Sequence, residues 1–308
     1  MNYTLRELEC FLAAAEELSF TRAARRLRLA QPPLSRHIRA LEDKLGTALF
    51  RREARRVSLT AAGTYFYEQT RTVPPQLVRA EEATRRFAAG QTDRLRLGFV
   101  SAVLSPEWMD LVRTFREQHP AVQITVQDSA PTEQLEALRA GNLDGGFVGL
   151  APQEPLPGLQ TTPWRKELLA AFVPFGHRLA AHRTLRLTEL AGEPWVAVSS
   201  AAAPVFAAHV RDLCARAGFR PRVVMESHRA QAVAVMVAAG TGVAVLPTSL
   251  ARIVGPAALV IPLTPPSSVT HVFARVAGPS GPALRAFLRL LAGTRAAGRT
   301  GAGEPTKM

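Results

Sequence analysis

A winged helix-turn-helix, a long linker helix and a two-lobed α/β domain are the fold that three observations predict. The twenty residues from Ser19 to Ile38, SFTRAARRLRLAQPPLSRHI, read as two short helices around a tight turn. Residues 61 to about 89 form one amphipathic run between Thr60 and Gly90. From Arg94 onward, short β-branched or apolar runs alternate with amphipathic helices, the pattern of an α/β sheet. These give three parts and a tail: 1–60, 61–90, 91–292, and 293–308, which is rich in Gly, Ala, Arg and Thr and is expected to be disordered.

Each element follows from local chemistry. Thr4 and Glu7 make a capping box, after which Leu5, Leu8, Phe11, Leu12 and Ala15 line one side of a first helix. Thr21 is the expected cap of the second helix, which turns Ala23, Ala24 and Leu27 inward. The third starts at Pro32-Pro33, where a missing N–H is harmless. Its stripe of Leu34, Ile38, Leu41 and Leu45 is buried and leaves Ser35, Arg36 and Arg39 on the other face. A helix that enters the major groove does so by its N-terminal end. Gln31, Pro33, Ser35 and Arg36 are therefore candidate base readers, with Arg suited to guanine and Gln to adenine. The bland alternative is a solvated arginine face on a small bundle. The run LFRREARRVSL then reads as a hairpin wing whose Arg51, Arg52, Arg55 and Arg56 face phosphate.

Charge agrees with this placement. The net charge is +13, and with 35 Arg, three Lys and much Ala it partly reflects a GC-rich gene. Between Ser19 and Thr60, however, eleven basic residues face three acidic ones, whereas residues 91–308 hold 22 against 15.

The stretch FLAAAEELSFTRAARRLRLAQPPLSRHIRALEDKLGTALFRREARRVSLTAAG resembles the N-terminal signature of the LysR-type transcriptional regulators. The AQPPLSR run, with LRLGFV and TEQLEALRAGNLDGGF later, is similar to the branch that controls aromatic-acid and chlorocatechol catabolism, and the likeness extends from about Leu5 to about Leu291. It implies phosphate contacts for Thr21 and the wing arginines, and base or groove contacts for Gln31, Pro32, Pro33, Ser35 and Arg36. It also implies paired linker helices in a dimer or dimer of dimers on partly palindromic operator DNA, a small-molecule co-inducer in place of a cofactor, and RNA polymerase as a further partner to consider.

In the linker, Phe66, Val73, Leu77, Ala80, Thr84 and Phe87 fall at alternating three and four spacing, as a dimer seam would. Pro74-Pro75 departs from it: a proline inside a helix costs roughly 3 kcal/mol, so a kink or break is expected there.

Beyond it, strands are expected at 94–100, 122–127 and 146–149, with helices at 106–118 and 132–140, making one lobe. Strands near 168–173, 195–198, 223–225 and 243–246, with helices near 205–217 and 231–239, make a second. The family's likeness to periplasmic solute-binding folds implies that a strand at 271–276 and a helix at 282–291 return to the first, giving lobe I as about 91–165 and 266–292 and lobe II as about 166–265.

Ligands of open α/β sheets sit beyond the carboxyl ends of strands. Three segments lie there: Ser101-Ala102-Val103, Ala130-Pro131-Thr132, and Val198-Ser199-Ser200-Ala201. Their hydroxyls and helix-end amides suit a small organic anion without a buried cation, although each is also an ordinary cap or loop former. Relatives responsive to aromatic acids tend to place hydroxyl residues where this chain has Ala102 and Pro131, which leaves the ligand open. Asp144 reads as a structural residue bonding turn amides.

Other classes are weaker. His177 and His182 lie in a polar loop with no ligand pattern to close a metal site, and neither a phosphate loop nor a GxSxG elbow is present, so an enzyme using the 91–292 cleft is the alternative rather than the reading. A solute-binding protein would not begin with a winged helix. Cys10 and Cys214 fall on helix faces that read as core, not as redox chemistry. With no apolar run long enough to span a bilayer and an N-terminus that opens on a charged helix, a cytoplasmic location is expected.

Overall fold

The structure, a computed structural model, describes residues 3–53, 56–88, 93–151 and 154–300. The chain divides into two compact units, Met1–Arg85 with Leu156–Gly158, and Arg86–Pro155 with Leu159–Met308. Among the described residues no helix is long and apolar enough to cross a membrane.

In the first unit, α1 (Leu5–Glu17) opens with the expected capping box: Glu7 N–H donates to Thr4 Oγ1 at 3.3 Å and Thr4 N–H to the Glu7 carboxylate at 2.7 Å. Lys44 Nζ lies 2.7 Å from the same carboxylate, and its hydrogen bond, with that of Thr4 N–H, holds the Glu7 carboxyl below the usual range. Leu8, Phe11, Leu12 and Ala15 are buried, whereas Leu5, expected on the same stripe, is exposed at the first position of the helix. Next come α2 (Phe20–Arg26) and α3 (Gln31–Leu45). The cap of α2 is Ser19, not Thr21: Ser19 Oγ accepts from Arg22 N, and starting the helix there buries Phe20 against Phe50, with ring centroids 5.3 Å apart. Ala23 and Ala24 are buried as expected, and Leu34, Ile38 and Leu41 of α3 are completely so, with Leu45 partly buried beside them.

Strands β1 (Phe50–Glu53) and β2 (Arg56–Leu59) pair antiparallel as the wing. The Leu49 and Phe50 amides donate to Glu42 Oε1 at 2.8 and 3.1 Å, which ties the wing to α3. The single linker helix expected at 61–89 is two helices, α4 (Ala61–Thr70), capped by Thr60, and α5 (Val73–Ala88). The break falls just ahead of Pro74-Pro75, which puts both prolines in the first turn of α5, where helical N–H groups have no partner to lose.

The second unit holds β3 (Arg94–Phe99), α6 (Pro106–Gln118), β4 (Gln123–Asp128), α7 (Pro131–Ala140), β5 (Gly145–Leu150), β6 (Leu159–Pro174), β7 (Pro194–Val198), α8 (Pro204–Arg216), β8 (Arg222–Ser227), α9 (Ala230–Ala238), β9 (Ala244–Pro247), α10 (Ala251–Val254), β10 (Ala258–Val276) and α11 (Pro282–Thr300). One sheet runs in the order β4-β3-β5-β10-β6-β9; β7 and β8 form a separate parallel pair, joined to the rest by a bridge from Trp195 to Val243. The parallel β3, β4 and β5 with α6 and α7 make the expected first lobe, packed around Phe115, Phe147, Phe273 and Phe287. Trp195, Cys214 and Val243 lie in a core of the second, where burial pushes the Cys214 thiol up to about 11.

Two expectations change. The strands expected near 168–173 and 271–276 are the ends of β6 and β10, which are 16 and 19 residues long and pair antiparallel along their length, with a register shift between Pro262 and Ser267. Prolines at 163, 262, 265 and 266 and the charged run Arg165-Lys166-Glu167 hid this continuity, because they interrupt the apolar period by which strands are recognised. Helix α11 runs to Thr300, past Gly293 where disorder was expected to begin; alanine and arginine are good helix formers, and glycine lowers helical stability without forbidding it. The rest of that tail, 301–308, lies outside the described residues.

Candidate DNA-binding and effector sites

In the first unit the turn between α2 and α3 is short, and Leu27 and Leu29 pack on the core while Arg28 takes a left-handed φ of +54°. That anchoring fixes which face of α3 is free. Gln31, Pro32, Arg36 and Arg39 are exposed, Pro33 and Ser35 half-buried, and Thr21 is exposed on α2. Not every arginine keeps its charge available. Arg26 lies 2.5 Å from Glu16 and Arg22 lies 3.1 Å from Glu17, whereas Arg25, Arg28, Arg36, Arg39 and the wing's Arg51 pair with no carboxylate among the described side chains. Cations without carboxylate partners, gathered on α2, α3, the turn between them and the wing, are what phosphate and guanine edges require. Arg55 and the side chains of Arg52 and Arg56 lie outside the described residues.

In the second unit the strand ends carry the proposed segments. Ser101 and Ala102 are buried in a 3-10 turn, Ser101–Val103. The Ala102 carbonyl accepts from Ser249 Oγ at 2.8 Å and Arg165 Nη2 at 3.5 Å. Thr132 N and Oγ1 both donate to the Ala202 carbonyl, at 3.3 and 3.1 Å, so that helix-end amide, expected to be open to a ligand, is taken by the facing lobe. Val198 and Ser199 are buried and Ser200 exposed; Ser199 Oγ accepts from the Ala201 amide, a loop-forming role. Pro131 is half-buried at the first position of α7. The structure thus joins the second and third segments through Thr132 and Ala202, while the first is held separately by Ser249 and Arg165. Asp144 is structural but bonds a strand: its carboxylate accepts from Arg96 N at 2.8 Å and meets the Arg96 guanidinium at 3.1 Å.

Sequence reasoning missed two groups here. Arg229 reaches Glu133 at 2.9 Å and Gln231 reaches Asp128 at 3.3 Å, both across the lobes, so the cleft does contain a cation. Behind the first segment, Glu167 accepts from His271 Nε2 and Arg165 Nη2, each at 2.8 Å, and from Ser249 N at 2.6 Å. Burial alone would raise the Glu167 carboxyl, but the His271 hydrogen bond, the Arg165 charge and the Ser249 amide together hold it below its ordinary value. The period-2 spacing of Arg165 and Glu167 was the available signal. Among the described residues no cluster of three His, Cys, Asp or Glu is placed to hold a metal ion.

Residues 5–64 match the bacterial regulatory helix-turn-helix protein of the lysR family, and residues 88–296 match the LysR substrate binding domain. The chain belongs to the LysR family. This LysR-type chain is 38% identical over 246 residues to the transcriptional regulator CatR of Pseudomonas putida, covering 80% of this chain and 83% of that one. It is 32% identical over 274 residues to the regulator BenM of Acinetobacter baylyi, covering 88% and 89%. The crystal structure of full-length CbnR complexed with its target DNA matches with a TM-score of 0.55 at 26% identity, over 95% of this chain and 99% of that one. These relatives agree with the branch resemblance of the motifs. The protein is a LysR-family transcriptional regulator with a DNA-binding and an effector-binding domain, and the enzyme and solute-binding alternatives give way to that reading.

Proposed function

We propose that this LysR-type regulator binds operator DNA as a dimer or dimer of dimers through residues 1–60, pairs through its linker at 61–90, and responds to a small organic anion bound in the cleft of residues 91–292. Gln31, Pro33, Ser35 and Arg36 read base edges; Thr21, Arg39, Arg51, Arg52 and Arg55 hold phosphate. The carrying observation is Arg36, exposed on the N-terminal half of α3 without a carboxylate partner among the described side chains. Ser101 and Ser199 are the effector's hydroxyl partners, beside Ala102, Pro131, Thr132, Val198 and Ser200. RNA polymerase is the partner through which a bound regulator acts on transcription.

A gel-shift titration on the gene's own upstream region tests the DNA half. Arg36→Ala loses about 1–3 kcal/mol of preference for that fragment over a scrambled one. Arg51→Ala weakens both DNAs equally and makes the salt dependence shallower. Equal loss on both DNAs for Arg36→Ala would make it a phosphate contact instead.

A further inference from the structure

The arginines of α2 sort by helix face. Ala23, Ala24 and Leu27 turn inward, and Arg22 and Arg26, to one side of that face, bond to Glu17 and Glu16 at the end of α1. Opposite the buried face, Thr21 and Arg25 stand one helical turn apart. Arg28 follows three residues on, its N–H donating to the Arg25 carbonyl at 3.1 Å. Arg25 and Arg28 are both exposed, and neither pairs with a carboxylate among the described side chains. Two features of this stripe work against folding. It sets like charge three residues apart, and it holds Arg28 at a φ of +54°, a left-handed conformation that glycine and asparagine adopt at lower cost. Backbone strain of this kind gathers where a residue serves something outside its own fold.

What surrounds the stripe says what that partner is. The turn leads into Gln31, the first residue of α3, whereas the wing is tied to Glu42 near the other end, about 16 Å along the axis at 1.5 Å per residue. The turn and the wing therefore flank α3 from its two ends. A helix seated in the major groove lies between two phosphate ribbons, and the wing arginines serve only one end of it. Resting on the reading of residues 1–60 as the DNA-binding unit, the geometry points to Arg25 and Arg28 as a second phosphate clamp, which with Thr21 grips the DNA backbone at the end of α3 away from the wing. Neither arginine belongs to α3, so the clamp carries no sequence information; it fixes the position from which Gln31, Ser35 and Arg36 meet the bases.

The test is a salt titration of DNA binding by the full chain, on a fragment of the gene's own upstream region and on a scrambled fragment of equal length. Arg25→Gln and, separately, Arg28→Asn are expected to weaken both DNAs by the same factor. Each makes the slope of log affinity against log salt shallower by about 0.9 for every protomer whose phosphate contact is lost, while Arg28→Lys keeps the slope. Arg28→Asn melts no lower than the wild type, since asparagine accepts the left-handed turn, so its weaker binding is not a loss of fold. Because the turn and the wing act at opposite ends of α3, the slope changes of Arg28→Asn and Arg51→Ala add in the double variant. Arg183→Gln, at an exposed arginine of the second unit, leaves the slope unchanged. A change there equal to that of Arg28→Asn would mean that the slope follows net charge, and overturns the clamp. A slope untouched by Arg25→Gln and Arg28→Asn but made shallower by Arg51→Ala overturns the clamp and leaves the wing assignment standing. Loss confined to the upstream fragment makes these arginines base readers and overturns it too, and a slope indifferent to all three variants overturns the clamp and the wing contacts together.

Discussion

Gly63 has no room for a methyl group: a Cβ there would lie 2.0 Å from the Leu49 carbonyl oxygen, backbone that cannot swing away. Gly63→Ala is therefore expected to lower the stability of the DNA-binding unit by about 1–3 kcal/mol, read as an earlier chemical-denaturation midpoint, whereas Gly46→Ala, with open space around it, is limited to the strain of its positive φ. The Glu167 group makes a different claim. Glu167 and His271 are almost fully buried, and the Glu167 carboxyl sits below its ordinary 4.5 in the folded chain. A group with a depressed folded value contributes stability in full above its unfolded value and loses it as pH falls through the folded one. Wild-type melting should consequently drop as pH falls below 4.5, and Glu167→Gln should show less of that drop. At neutral pH the variant is destabilised by on the order of 3–5 kcal/mol, because Arg165 and His271 lose their carboxylate. A variant that tracks wild type from pH 7 to 3 would remove this assignment. Capping residues such as Thr4 and Thr60 were legible because their partners are three residues away; Glu167 was not, because His271 lies far along the chain.

Among the elements, the linker shows how far a periodic stripe can be read. Its three and four spacing identified one apolar face but not what covers it. Phe66 meets Phe11 with ring centroids 5.2 Å apart and Val73 packs on the same core, so two of the six residues of the expected seam are half-buried within their own unit. Leu77 and Val78, 49% and 54% exposed, remain on α5, and the Phe87 side chain lies outside the described residues. If those two residues pair α5 with a second copy, Leu77→Asp shifts sedimentation toward monomer and weakens operator binding with it. Phe66→Ala removes a half-buried ring packed on the core and should instead destabilise the winged helix itself, by less than the roughly 3–5 kcal/mol of a fully buried aromatic. An unchanged sedimentation profile for Leu77→Asp would move the dimer contact elsewhere. The break before Pro74-Pro75 was legible because proline acts locally. The lengths of β6 and β10 were not, since their polar stretches are satisfied across strands rather than by neighbours in sequence.

For the whole molecule, the basic excess lies between Ser19 and Thr60, and the alternation of strands and helices predicted a two-lobed α/β domain, as the structure has it. The periodicity could not show how the lobes are joined. Two antiparallel strands, β6 and β10, run from one to the other, paired from Leu159 opposite Val276 to Pro174 opposite Ala258. A flexible tether lets two bodies diffuse apart until a ligand gathers them; a paired ribbon does not, because separating the ends means breaking its ladder. The lobes can thus bend and twist about the ribbon, as two leaves on a leaf spring, but their separation is confined. Limited proteolysis makes the difference visible. The ribbon is paired on both sides of its exposed Thr264–Pro266 stretch, so a protease should release residues from about 93 to 300 as one resistant fragment, without halves that split near 165 or 266. Such a spring also returns: what an effector bends, its departure restores without any second signal, so the regulator's memory of the effector would last no longer than its occupancy.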